Sequence, residues 1–211
     1  MTNGLRLDEQ PLDRAGLREA ALVARAAFFD DPFYEFLFPV AKFRSHGLSI
    51  FFRTVLGHPG PRAKVVTVRN ATGHVVGVAM WLPTGAHPQS ARTQLSQMPG
   101  LLRSMRCSLR SISRGNSIYA STSKVHPKEA HWYLQLVAVM PPLQRQGIGS
   151  MLLGQGLGKV DEENVGSYLE TQKDENLAYY RRFGYRLRDT LNPVGGGPVL
   201  YTMWRAPLSS P

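Results

Sequence analysis

The chain has 211 residues, 43% of them hydrophobic, and a single cysteine, Cys107; it can bury a real core, but it forms no intramolecular disulfide framework and no cysteine-built zinc site. Its 25 Lys and Arg against 15 Asp and Glu leave a net charge of +10, and no acid stands between Glu35 and Glu129, a field that draws anions. No apolar run reaches the ~18 residues of a membrane span, and MTNGLRLDEQPLDR lacks the apolar core of a signal peptide, so a cytoplasmic chain is expected.

In chain order, Leu5 to Leu7 reads as a short first strand. Apolar residues at helical spacing (Leu17, Ala21, Leu22, Phe28) then predict a helix over Leu12 to Phe29 with Asp13 as its N-cap. Asp30-Asp31-Pro32 stops it, the aromatic segment Phe33 to Phe38 follows, and a second helix is expected over Lys42 to Leu56. Lys64 to Arg69 and Val75 to Leu82, joined by a four-residue turn, predict an antiparallel hairpin. Leu95, Met98, Leu101, Leu102, Met105 and Leu109 recur at helical spacing and place one or two helices between Pro83 and Lys128.

His131 to Met140 is a near-continuous apolar run, as in a strand buried on both faces. A Gly-bearing turn, a helix to Glu163, a strand Ser167 to Thr171 and a helix Glu175 to Phe183 capped by Gly184 come next. Strands Tyr185 to Leu191 and Val199 to Arg205 flank the Gly195-Gly196-Gly197 turn. This is an α/β (α+β mixed) pattern in one domain over 1–211, with a helical insertion over 83–130. Gly154, Gly156 and Gly158 are unusual inside a helix and predict tight packing there.

Chemistry concentrates in VAVMPPLQRQGIGS, residues 137–150. A strand ends and feeds a helix through Gln144-Arg145-Gln146-Gly147-Ile148-Gly149. Glycines let the backbone approach a ligand, the N–H groups of the first helical turn face outward, and a pyrophosphate is the natural guest. Leu152 excludes a dinucleotide fingerprint, and Val160 after Gly158-Lys159 excludes a P-loop. Further on, Tyr168-Leu169-Glu170-Thr171 ends a strand in a carboxylate and leads to Asn176-Leu177-Ala178-Tyr179-Tyr180-Arg181-Arg182-Phe183-Gly184-Tyr185.

Taken together, the Gln-x-x-Gly-x-Gly turn, the strand before it and the Asn-x-x-x-Tyr-x-x-x-Gly-Tyr stretch resemble the GNAT (GCN5-related N-acetyltransferase) superfamily. Within it, Ala27-Phe28-x-Asp30-x-Pro32, Pro127-Lys128-Glu129, Leu169-Glu170-Thr171 and Gly197-Pro198…Met203-x-Arg205 look most like the puromycin N-acetyltransferases. The resemblance implies a mixed, mostly antiparallel twisted sheet of about seven strands flanked by helices. It also implies acetyl-CoA as cosubstrate, no metal, and direct transfer of acetyl to a primary amine of a small, antibiotic-like molecule.

By the same resemblance, Val137, Ala138 and Val139 would pair with the pantetheine arm and polarise the thioester carbonyl. Gln144, Arg145, Gln146, Gly147, Ile148, Gly149 and Ser150 would hold the pyrophosphate, with Asn176 on the cofactor side and Arg145, Arg181 or Arg182 reaching the 3′-phosphate. Tyr180 is the expected general acid, also touching the cofactor, and Glu170 the expected base, or else the group that binds the acceptor's cation. Asp30, Asp31 and Glu35 are candidates for the acceptor's mouth, Phe33, Tyr34, Phe36 and Phe38 for clasping its body or else for the core, and His131 for a second base. The basic stretch argues against a polycation and for a mono-amine on an aromatic or acidic scaffold. No nucleic-acid or membrane partner is expected, and the chain is read as monomer or homodimer. A CoA-binding regulatory module, a protein or peptide N-acetyltransferase and a charge-driven anion binder remain the alternatives; Cys107 lies far from the motif in sequence, against a covalent acetyl-cysteine.

Overall fold

The computed structural model describes residues 4–106, 108–193 and 196–208; Cys107 and the Gly195 of the glycine turn lie outside the described residues. After strand β1, Arg6–Asp8, helix α1 spans Arg14–Ala27 and starts where the Asp13 carboxylate accepts the Gly16 N–H at 2.7 Å. Asp31 does the same for a short helix α2, Pro32–Leu37, so the aromatic segment is helical from its proline onward. Helix α3, Ala41–Gly57, leads to strands β2, Lys64–Arg69, and β3, Val75–Leu82, where the Asn70 side chain accepts the N–H groups of Thr72 and His74 and closes the turn.

Two helices occupy the insertion, α4 over Ala91–Ser104 and α5 over Leu109–Val125. Strand β4, His131–Val139, a 3₁₀ turn, helix α6, Ile148–Glu162, and strand β5, Gly166–Thr171, follow. Helix α7, Asp174–Arg181, is closed by Gly184 at φ 86°, whose N–H bonds the Arg181 carbonyl. Strands β6, Arg186–Leu191, and β7, Leu200–Arg205, complete a seven-stranded sheet ordered β1-β2-β3-β4-β5-β7-β6. Every neighbouring pair is antiparallel except β4 and β5.

The sheet separates two apolar layers. Leu152, Leu153, Leu157 and Val160 of α6 pack on one face, and α1 with α3 covers the other through Ala20, Val23, Leu48 and Phe52. Strand β4 departs from the expectation of burial on both faces, since its residues alternate between buried and half-buried. It also carries one extra residue: Met80 pairs with Leu136 and Trp81 with Leu134, leaving Gln135 as a bulge. Trp132 and Leu134 therefore face the α6 layer, whereas Leu136 and Ala138 face the α1–α3 layer. Pairing between β4 and β5 ends at Leu134 with Leu169, and beyond it the two strands part.

Of the three helix glycines, only Gly156 is explained by packing: a Cβ there would overlap the buried Trp81 indole, while Gly154 and Gly158 face open space. Gly156→Ala is expected to cost several kcal/mol through overpacking. Gly154→Ala and Gly158→Ala should each add about 0.5–1 kcal/mol. Thermal unfolding of the three variants checks the signs.

Candidate active site

The end of β4 sets up the site. The Met140 N–H bonds the Val76 carbonyl of β3 at 2.9 Å, so by strand alternation the N–H groups of Val137 and Val139 point the other way, toward β5. No β5 residue pairs there, which leaves a short free strand edge. Gln144 already reaches that edge, its side-chain amide donating to the Val139 carbonyl at 3.1 Å.

Past the 3₁₀ turn, Arg145 (φ 62°) and Gly147 (φ 87°) adopt left-handed backbone and turn the chain into α6. Gly147 is the N-cap and supplies no side-chain acceptor, and the first helical bond is from the Met151 N–H to the Gly147 carbonyl. The N–H groups of Ile148, Gly149 and Ser150 thus have no helical partner and lie at the positive end of the helix dipole. From α7, Tyr179 closes over the loop: a Cβ on Gly149 would fall 2.7 Å from its hydroxyl, so glycine sets this spacing.

Between loop, β4 and α7 lies a groove of about 590 Å³. Of the residues expected on the cofactor side, Val137, Ala138, Val139, Gln144, Arg145, Gly147, Gly149, Ser150, Asn176 and Tyr180 line it. Gln146 does not, since its side-chain amide donates to the Pro142 carbonyl at 3.2 Å. The Ile148 side chain is 2% exposed and belongs to the core, so only its backbone serves the loop. Arg182 lines the groove and packs over the Tyr179 ring at 5.0 Å; Arg181 does not line it. Lys173 and Tyr179 line it too, and neither was singled out from sequence, although Tyr179 stands in the same motif as Tyr180.

A second cavity, about 240 Å³, adjoins the groove and shares Phe28, Asp31, Val137, Asn176 and Tyr180 with it. Phe33, Tyr34, Phe51 and Phe52 form one wall, linked ring to ring with centroid distances of 4.7 to 5.5 Å. Tyr133 and Glu170 stand on the sheet side. The Glu170 carboxylate accepts the Tyr168 hydroxyl at 3.1 Å and also bonds the Tyr133 hydroxyl. Burial outweighs those donors and pushes its pKa up to about 7. Tyr180, 7% exposed, has its phenol pKa raised by burial and stays protonated at neutral pH.

Asp31 is buried, lines both cavities and has its pKa raised by burial against the Phe33 N–H that it accepts. Its neighbour Asp30 is exposed and lines neither cavity, and Glu35 pairs with Arg44 at 2.7 Å. The bulge residue Gln135 lines the small cavity with its Oε1 buried and unpartnered among the described residues. His131 is an edge histidine, Nδ1 against the Glu129 carbonyl at 2.7 Å and Nε2 against His126 Nε2 at 3.1 Å, away from both cavities. Asn176 donates to the Thr171 hydroxyl at 2.8 Å and ties α7 to the end of β5. Among the described residues no group of three His, Cys, Asp or Glu is arranged to hold a metal ion.

Comparison with known proteins gives the geometry a context. The model of the acetyltransferase (GNAT) family matches residues 29–185. A structure from Corynebacterium glutamicum, described as histone acetyltransferase HPA2 and related acetyltransferase, is 20% identical with 98% of each chain covered and a TM-score of 0.70. The ribosomal-protein-S18-alanine N-acetyltransferase of Escherichia coli is 14% identical over 98% of this chain and 96% of its own, with a TM-score of 0.54. Arylalkylamine N-acetyltransferase 2 of Aedes aegypti is 11% identical over 97% and 99%, with a TM-score of 0.58. At such identities these likenesses speak for the fold.

Proposed function

Because the chain belongs to the acetyltransferase (GNAT) family, we propose that it moves an acetyl group from acetyl-CoA directly to the primary amine of a small molecule with an aromatic or apolar body. The observation that carries this reading is the meeting of two cavities of different chemistry at Tyr180, with Glu170 lining the smaller one.

The groove suits a phosphate-bearing thioester: unpartnered N–H groups at the head of α6 with Arg145, Lys173 and Arg182 around it. Acetyl-CoA would supply the activated acetyl group. The free edge at Val137 and Val139 would align its arm, one N–H there polarising the acetyl carbonyl. The aromatic wall takes an apolar body, and Asp31, Glu170 and the Gln135 carbonyl, all lining the small cavity, draw an ammonium into it. Glu170, titrating near 7, accepts the proton that makes the amine nucleophilic. As the carbon–sulfur bond breaks, the Tyr180 hydroxyl gives its proton to the departing sulfur.

The reading is tested by acetyl-CoA-dependent thiol release with puromycin, simple arylalkylamines, polyamines, aminoglycosides and N-terminal peptides. Preference for a mono-amine with an aromatic body is expected, by at least about tenfold in kcat/KM for an apolar-pocket discrimination. Preference for a peptide or polyamine would refute the acceptor assignment while leaving acetyl transfer intact.

A further inference from the structure

Helix α4 is built inside out. Its buried side is Thr93, Gln97 and Ser104, with Gln97 donating to the His58 carbonyl at 2.7 Å. Three of its apolar residues face solvent, with Leu101 half-buried: Leu95 is 63% exposed, Met98 48% and Leu102 37%. Spacing of i, i+3 and i+7 puts these three on one narrow stripe. Leu109, at the head of α5, is exposed as well. None of these residues lines a described cavity, and Leu95, Met98 and Leu102 form an exposed apolar ridge along α4.

Around the ridge the charge has one sign. Arg92, Arg103 and Arg106 are exposed, and Arg106 lies over the half-exposed Phe43 ring of α3 at 4.3 Å. Residues 36 to 128, which include α3, α4 and α5, contain no Asp or Glu. A second copy is a poor cover, because antiparallel pairing about Met98 would set Arg92 beside Arg103 of the other copy with no acid in either helix. A protein partner of ordinary kind seats its anchors in pockets, and Leu95, Met98 and Leu102 line none of the described cavities. A bilayer surface asks only for apolar side chains on one stripe with arginines beside them at phosphate height.

We propose that the α4 ridge docks the protein peripherally on an anionic phospholipid surface, with Leu95, Met98 and Leu102 entering the acyl boundary and Arg92, Arg103 and Arg106 against the headgroup phosphates. Among the described residues no helix is long and apolar enough to cross a membrane, so the contact is with the surface. The proposal departs from the expectation from sequence that no membrane is involved. It is independent of the acceptor's identity.

Sedimentation of the full chain with vesicles of phosphatidylcholine, with or without phosphatidylglycerol, tests it at low and high salt. The protein should pellet with the anionic vesicles, at least about tenfold less with phosphatidylcholine alone, and be released by salt. Combined Leu95→Ser, Met98→Ser and Leu102→Ser should weaken binding about tenfold or more while the variant keeps one cooperative thermal transition. No pelleting with anionic vesicles overturns the proposal, as does binding unchanged in the triple variant. Two other results would also overturn it: a wild-type dimer that the triple variant turns into a monomer gives the ridge to a second copy, and capture by polyglutamate without vesicle binding gives it to an acidic polypeptide.

Discussion

Glu170→Gln is expected to lower turnover about 10²–10³-fold and to raise thermal stability above neutral pH. The first effect follows from losing a positioned base, and the limb of the rate profile near pH 7 should vanish with it. The second follows from linkage. The folded carboxyl titrates at about 7 against an ordinary 4.5, so the proton is held more tightly in the folded state. Its contribution to stability is fully present below the ordinary value and is lost as pH rises through 7. Ionised Glu170 thus costs roughly 2–3 kcal/mol at alkaline pH after allowance for its partial exposure, and glutamine avoids that cost. Calorimetric unfolding from about pH 4 to 9 should show the two proteins converging at the acid end and the variant melting higher at the alkaline end. A variant that melts lower throughout would mean that the carboxylate is structural.

Tyr180→Phe carries the second large effect. The ring contacts with Tyr179 at 5.3 Å and Tyr185 at 5.9 Å need no hydroxyl, so the fold and the acetyl-CoA groove should survive. Turnover should fall about 10²-fold or more with little change in KM for acetyl-CoA, because the lost proton matters only as the sulfur departs. A KM effect with unchanged kcat would place Tyr180 among the binding residues instead.

Local signals were the readable ones. The β2–β3 hairpin is found over the residues its two β-branched runs imply, since a short Asn- and Gly-bearing turn joins them without distant help. The loop from Gln144 to Gly149 was likewise visible, because the left-handed, uncapped helix start at Gly147 is written in glycine, although the left-handed Arg145 beside it is not. Hidden from sequence was whatever depends on the partner surface. Periodicity in α4 shows that Leu95, Met98 and Leu102 share a side, but not that α3 meets the opposite one. The Gln135 bulge exists only relative to β3, and Asp31 reaches the cavities only because α2 is folded against α3 and the sheet. Adjacent acids thus diverge, Asp30 to solvent and Asp31 inward.

Direct transfer between the two cavities is the central claim, and mass spectrometry of one turnover mixture tests it most directly. The protein is mixed with acetyl-CoA and an accepting amine, and both the amine product and the intact chain are weighed. An acetyl group on the amine nitrogen, one per thiol released and absent without enzyme, with the chain's mass unchanged throughout, is the predicted result. Thiol release that leaves every amine unacetylated, or an acetyl group that accumulates on the chain before reaching the amine, would contradict it.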